Sequence, residues 1–172
     1  MRPNFDMSAR LAAVVALAVC MSGCAGYQLG NRMLFRPDIR TVHIPVFESD
    51  SYRRFLGQQL TEAVIKQIEL DTPLIVANPG FAESVLQGRL VQDRKRPRTI
   101  DRFGEPRVLQ SQWYVEVDWV DRSGNSLMQR QRLRVSASEE FVPEGGQSLT
   151  TAQQEIVKKL AQQIVGQMES PW

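Results

Sequence analysis

The stretch SQWYVEVDWVD, Ser111 to Asp121, decides the fold. Trp113, Val115, Val117 and Trp119 occupy every second position, with Tyr114, Glu116 and Asp118 between them. Successive strand side chains point to opposite faces, so this period of two predicts a strand with one buried and one wet side. Trp113 and Trp119 fall on the buried side. Directly downstream, DRSGN (Asp121–Asn125) has hairpin-turn chemistry, and Leu127 to Ala137 returns with Leu133, Val135 and Ala137 facing inward. A turn centred on Ser123-Gly124 places Glu116 opposite Arg132 and Asp118 opposite Arg130. Arg134 then faces Tyr114 without an acidic partner.

Working upstream, Ser84 to Gln92 reads as a second strand, with Leu86, Gly88 and Leu90 on one face. Arg94 to Arg107 is polar, basic and contains Pro and Gly, which predicts a loop or hairpin tip. Thr41–Val46 (TVHIPV) is a short strand with Val42, Ile44 and Val46 on one face, and Pro45 assigns it to an edge or a strand end. Ser49-Asp50-Ser51 offers N-cap side chains for a helix from Tyr52 to Leu70, whose stripe is Leu56, Leu60, Ala63, Val64 and Ile68. Asp71-Thr72-Pro73 ends it, and Leu74 to Ala77 is a brief strand. Beyond Pro143-Glu144-Gly145-Gly146, Thr150 or Thr151 caps a last helix to Met168. That helix carries the stripe Ile156, Val157, Leu160, Ala161, Ile164, Val165 and Met168. Strands flanked by two amphipathic helices predict an α+β two-layer sandwich: one curved, mixed or antiparallel sheet of about four strands, with both helices on one face. The other face of the sheet is left open to water or a partner.

The first residues read as a targeting segment. Arg2 and Arg10 precede an uncharged run from Leu11 to Met21. That run is too short for a hydrocarbon core, which needs about twenty residues, and it suits the apolar region of a signal peptide. Met21-Ser22-Gly23-Cys24 follows, with small residues just before a cysteine, as lipoprotein signal peptidase requires. The expectation is a leader over 1–23, a lipidated tether over 24–40 beginning at Cys24, and a single domain over 41–172. Three acyl chains on Cys24 would hold the chain on a bilayer, at about 0.8 kcal/mol per buried methylene. Ala25 follows the cysteine where retention in the inner membrane usually shows aspartate, which favours the outer membrane.

Composition excludes several function classes. Without residues 1–23 the formal charge falls from +2 to +1, so no strong field argues for nucleic acid. The other cysteine, Cys20, lies in the leader, which leaves neither a disulfide framework nor a thiolate metal site. His43 is the sole histidine and sits in a strand. No spacing of metal ligands, nucleophile motif or phosphate loop is present. Glu139-Glu140, adjacent in a strand, point to opposite sides. The chain reads as a non-enzyme without a cofactor or metal.

The basic residues are the better functional candidates. Arg89 to Arg107 holds seven basic side chains against three acidic, a local +4. Arginine pairs bidentately with phosphate through its planar fork, so Arg94, Lys95, Arg96 and Arg98, together with Arg134, are the candidate contacts for a phosphate-bearing ligand. The alternative for the same charges is a solvated loop. Tyr114, Arg130 and Arg132 are candidates for contact with a partner protein. Phe35, Phe47 and Phe141 serve either as packing or as docking residues.

Several short motifs together carry a resemblance. Cys24-Ala25-Gly26-Tyr27-Gln28-Leu29, the strand Thr41–Phe47 ending in Pro-x-Phe, the helix segment Leu60–Val64, the strand end Leu86-Gln87-Gly88 and the helix segment Leu160–Val165 resemble the LptE family of lipopolysaccharide-assembly lipoproteins. Departures are Ala25 before the Gly-Tyr pair, and Glu83-Ser84 where many members show Ala-Asp. The resemblance implies a lipoprotein seated in an LptD-like outer-membrane β-barrel, which it helps to assemble. It also implies lipopolysaccharide binding and assistance in delivering it to the outer leaflet. The alternative function is a structural lipoprotein of another envelope transport or secretion complex that binds no glycolipid.

Overall fold

The computed structural model describes residues 34–53 and 55–169. Its elements run β1 (Thr41–His43), β2 (Glu48–Ser49), α1 (Leu56–Asp71), β3 (Ile75–Val76), β4 (Ser84–Ile100), β5 (Pro106–Asp121), β6 (Leu133–Phe141), a short 3-10 turn (Pro143–Gly145) and α2 (Leu149–Gly166). One sheet has the order β3-β1-β4-β5-β6, with β2 also pairing β4. β1 lies parallel to β3 and β4, whereas β4, β5 and β6 form an antiparallel meander. The sandwich is therefore α+β as expected, with six strands rather than about four because β2 and β3 are two-residue strands.

The helices cover one face of the sheet. Trp113, Val115, Val117 and Trp119 are 0–1% exposed and meet Leu60, Val64 and Ile68 of α1 and Ile156, Leu160 and Ile164 of α2 in one core. Both helical stripes thus bury as their 3.6-residue period requires. α1 begins at Leu56 rather than Tyr52, because Phe55 takes a left-handed conformation (φ 68°) as its N-cap. α2 is capped by Ser148, two residues before Thr150; the Ser148 hydroxyl accepts from the Thr151 amide at 3.1 Å. Such a cap satisfies an amide that the helix itself leaves unpaired.

Polar links fix β1 and the linker after it. Trp119 Nε1 donates to Ser84 Oγ (3.0 Å), which donates to the Thr41 carbonyl (2.9 Å), tying β5 through β4 to β1. Phe47 is buried together with Phe35 and Phe141, so packing accounts for all three. The Phe47 amide donates to Thr61 Oγ1 at 2.8 Å, and that hydroxyl donates to the Gly57 carbonyl at 2.8 Å. The Phe47 ring occupies the space that a side chain at Gly88 would fill, and its carbonyl occupies the space above Gly57. Both glycines are therefore demanded by one aromatic residue.

Two expectations about strands need correction. Of the two readings of Arg94 to Arg107 the hairpin holds and the loop does not: β4 continues to Ile100, β5 starts at Pro106, and the turn is only Asp101–Glu105. Alternation is hidden there because neither face is deeply buried, and bulges after Leu90 and Pro97 break the period. Further on, the returning strand begins at Leu133 rather than Leu127. Val120 bridges Ser126 and Val117 pairs with Leu133, so Leu127 to Arg132 span what two residues span on β5. This detour, with Arg132 at φ 51° and Met128 turned into the core, shifts the register. Its excess is even, so the inward assignments survive while the opposite partners change.

Candidate functional site

The shifted register rearranges the arginine ladder. Glu116 lies opposite Arg134, not Arg132, and accepts from Arg134 Nη2 at 2.9 Å. Arg134, expected to be unpaired, is thus an ion-paired residue whose guanidinium also stands 6.0 Å from the Tyr114 ring centroid. Asp118 accepts from Ser126 Oγ at 3.0 Å rather than facing Arg130. Arg130 and Arg132 fall in the detour and are exposed. Arg132 overhangs a shallow hollow of about 520 Å³ on the open sheet face, beside Glu48, Arg89, Glu116 and Asp118.

The pleat sorts the remaining candidates. Arg94 pairs with Gln112 and Arg96 with Gln110, both on the face away from the helices. Arg98 sits at a bulge and donates through Nε to Glu140 at 3.0 Å, also on that face. Lys95, opposite the buried Ser111, emerges on the helix side, with Nζ 5.8 Å from the Phe141 ring centroid. Four of the five candidate cations therefore share the open face and Lys95 does not. Arg94 and Arg96 have no acidic partner among the described residues. Glu139 and Glu140 do separate, the former pairing with Lys159 of α2 and the latter with Arg98.

Apart from Glu140, which pairs with Arg98, the open face between these arginines is neutral and hydrogen-bonding. In rows across β4, β5 and β6 it carries Gln92, Tyr114 and Ser136, then Arg94, Gln112 and Ser138, then Arg96, Gln110 and Glu140. Gln110 donates weakly to Ser138 at 3.4 Å, so these amides and hydroxyls keep most of their capacity for a ligand. Amides, hydroxyls and one aromatic ring bordered by guanidinium forks suit a phosphorylated sugar. The larger concavity, about 880 Å³ between α1 and α2, mixes glutamines with Glu62, Lys66 and Lys158 and has no concentrated charge.

The hairpin beyond this platform ends in a five-residue turn, Asp101–Glu105. Asp101 accepts from the amides of Phe103 (2.8 Å) and Glu105 (3.0 Å), and Arg107 clamps its other oxygen through Nη2 at 2.8 Å. These donors, the Glu105 amide foremost, hold the Asp101 carboxyl below its ordinary range. Arg107 also pairs with Glu144 of the 3-10 turn, and its two carboxylate partners raise its pKa further. Phe103 and Ile100 stay 75% and 56% exposed at the tip. The signal that would have found this turn is its sequence: DRFGE at 101–105 repeats the pattern of DRSGN at 121–125. His43 makes a structural contact, its Nδ1 3.2 Å from the Ala77 carbonyl. No group of three or more histidine, cysteine or acidic side chains suited to a metal occurs among the described residues.

A family model, LptE: Lipopolysaccharide-assembly, matches residues 39–168. The chain belongs to the LptE family. Its fold is shared with an uncharacterized lipoprotein B from Nitrosomonas europaea at a TM-score of 0.56 and 19% identity, covering 83% of this chain and 89% of that one. A hypothetical protein from Chlamydia trachomatis, CT253, is similar at 0.51 and 8% identity, covering 76% and 98%. The rare lipoprotein B from Shewanella oneidensis is similar at 0.49 and 13% identity, over 75% and 93%. No curated protein matches the sequence. In this LptE-family chain no helix among the described residues is long and apolar enough to cross a membrane. Cys24 and the motif after it lie outside the described residues.

Proposed function

We propose that this LptE-family chain is a lipoprotein anchored through Cys24 at the outer membrane, and that it binds lipopolysaccharide there without catalysis. In this reading it seats in an LptD-like β-barrel, supports assembly of that barrel and assists transfer of the glycolipid to the outer leaflet. The carrying observation is the open sheet face. Arg94 and Arg96, unpaired among the described residues, flank neutral amides, hydroxyls and Tyr114. Guanidinium forks take phosphates bidentately, while Gln110, Gln112, Ser136 and Ser138 take sugar hydroxyls. Arg98 and Arg134 already hold carboxylates, so they contribute by orienting the platform's edges and by exchanging partners when a phosphate arrives.

The test is a paired one. Arg94→Gln combined with Arg96→Gln lowers lipopolysaccharide affinity at least tenfold and makes the remaining binding less dependent on salt, since phosphate contacts are screened. Extraction of outer membranes in mild detergent recovers the chain together with a large barrel. Unchanged glycolipid binding with an intact barrel complex would favour a structural lipoprotein over a lipid-binding one. Recovery of only a free monomer would remove the barrel from the reading.

A further inference from the structure

The tip of the β4–β5 hairpin carries a side chain that its turn does not need. Asp101–Glu105 and Asp121–Asn125 are built alike. In each, the leading aspartate accepts from the amides two and four residues on, and a glycine at position four takes positive φ (87° and 81°). The third position is Phe103 in one and Ser123 in the other. Serine therefore satisfies this backbone, and a 75% exposed phenylalanine has no structural duty there. Ile100, 56% exposed, ends β4 just before the same turn. Exposed apolar residues in isolation are ordinary, but here they crown the one part of the sheet that is densely basic. From Arg94 to Ile100 β4 has no buried residue, and the strand rises roughly 20 Å at about 3.3 Å per residue.

We infer that Phe103 and Ile100 enter the acyl-chain zone of a phosphate-bearing lipid, with Arg102, Arg98, Arg96 and Arg94 following at headgroup level. The inference rests on the open face being a lipid site and adds the hydrocarbon half of its ligand. Charge complementarity chooses the occupant: an apolar tip with a guanidinium collar matches chains beneath an anionic headgroup. Arg102 stacks on Phe103, its guanidinium carbon 4.8 Å from the ring centroid, so it can reach back to phosphate while the ring descends. The bracing of the turn by Asp101 and Arg107, the latter also held by Glu144, presents the ring already ordered, which lowers the entropy lost on insertion. Two such side chains make a shallow wedge, suited to loosening one glycolipid from its neighbours rather than to anchoring.

The experiment uses the mature chain, produced without acylation so that the anchor adds no affinity. Its probes are phosphatidylcholine vesicles doped with lipopolysaccharide, with and without bromine on the phospholipid chains, and the deacylated phosphorylated saccharide alone. Phe103→Ser weakens vesicle binding roughly tenfold and leaves saccharide binding unchanged. Phe103→Trp gains fluorescence, over the parent chain, that brominated chains quench. Arginine-dependent saccharide binding with no effect of F103S and no quenching would overturn the inference and spare the proposed function. Quenching without arginine dependence or saccharide binding would do the reverse. If F103S lowered only co-extraction with a barrel protein, again without quenching, the tip would be a protein contact and the lipid inference would fail.

Discussion

At the residue scale, Phe47 explains two glycines that the sequence presents without a reason. Gly88 was placed correctly on the inner face of its strand, but periodicity cannot say why a strand core should lack a side chain. The reason lies in the Pro-x-Phe segment forty residues earlier, whose ring fills that space. At Gly57 the obstacle is the Phe47 backbone carbonyl instead. The two obstacles predict different genetics. Gly88→Ala should destabilise by about 1–3 kcal/mol through overpacking, and Phe47→Ala by about 3–5 kcal/mol. Their combination should cost less than the sum because the truncated ring leaves room, whereas Gly57→Ala should gain no such relief from Phe47→Ala. Urea titration of the three single and two double variants measures the coupling. Glu83-Ser84 also finds a physical reason: Glu83 accepts from the Arg40 amide at 2.7 Å and Ser84 from Trp119, so this pair staples the strand start to β1. The Arg40 amide is the leading cause that holds the Glu83 carboxyl below its ordinary pKa.

At the element scale, what was legible depended on burial. The β5 alternation could be read because α1 and α2 cover one of its faces. The extension of β4 and β5 into the distal hairpin could not, because a period of two appears only where one face is dry. Arg134 was misread for a related reason. Its partner depends on a detour that Met128 makes into the core, and no local rule announces such a detour. The turn itself was legible by analogy with DRSGN, and its aspartate makes the hairpin's order depend on pH. Asp101 is depressed in the folded state by amide donors and Arg107. A carboxyl with a lowered folded pKa stabilises above its unfolded value, about 3.9, and that contribution is lost as pH falls through the folded value. Relative to an unstructured amide at the same pH, exchange at Phe103 and Glu105 should therefore be protected at neutral pH and lose that protection below about pH 4. Asp101→Asn should remove the protection at neutral pH and match the parent chain below the folded pKa, while leaving the thermal midpoint of the domain within about a degree, since the site is a solvent-facing turn. Protection that does not change between neutral pH and about pH 3 in the parent chain would show that the carboxylate does not brace the turn.

At the scale of the whole molecule, one core supports an arm that lies outside it. Fold class was readable from element order, because strands with two amphipathic helices admit few two-layer arrangements. The division between base and arm was not, since it depends on where burial stops along a continuous strand. On β4 that point is Leu90, after which Arg94–Ile100 are all exposed; on β5 it is Ser111. Packing of helices against one face of a strand raises the free energy of opening it, while a ribbon with two wet faces opens locally. Leu160 is fully buried between α2 and the sheet, so Leu160→Ala should lower global stability by roughly 2–5 kcal/mol. Exchange at Val115, Val117 and Trp119, which requires the core to open, should accelerate by a matching factor. Exchange between Arg96 and Val108 should barely change, because that segment already opens without the core. Parallel acceleration of both segments would mean that the hairpin and the base unfold as one unit. The arm could then not yield to a ligand without loosening the core beneath it.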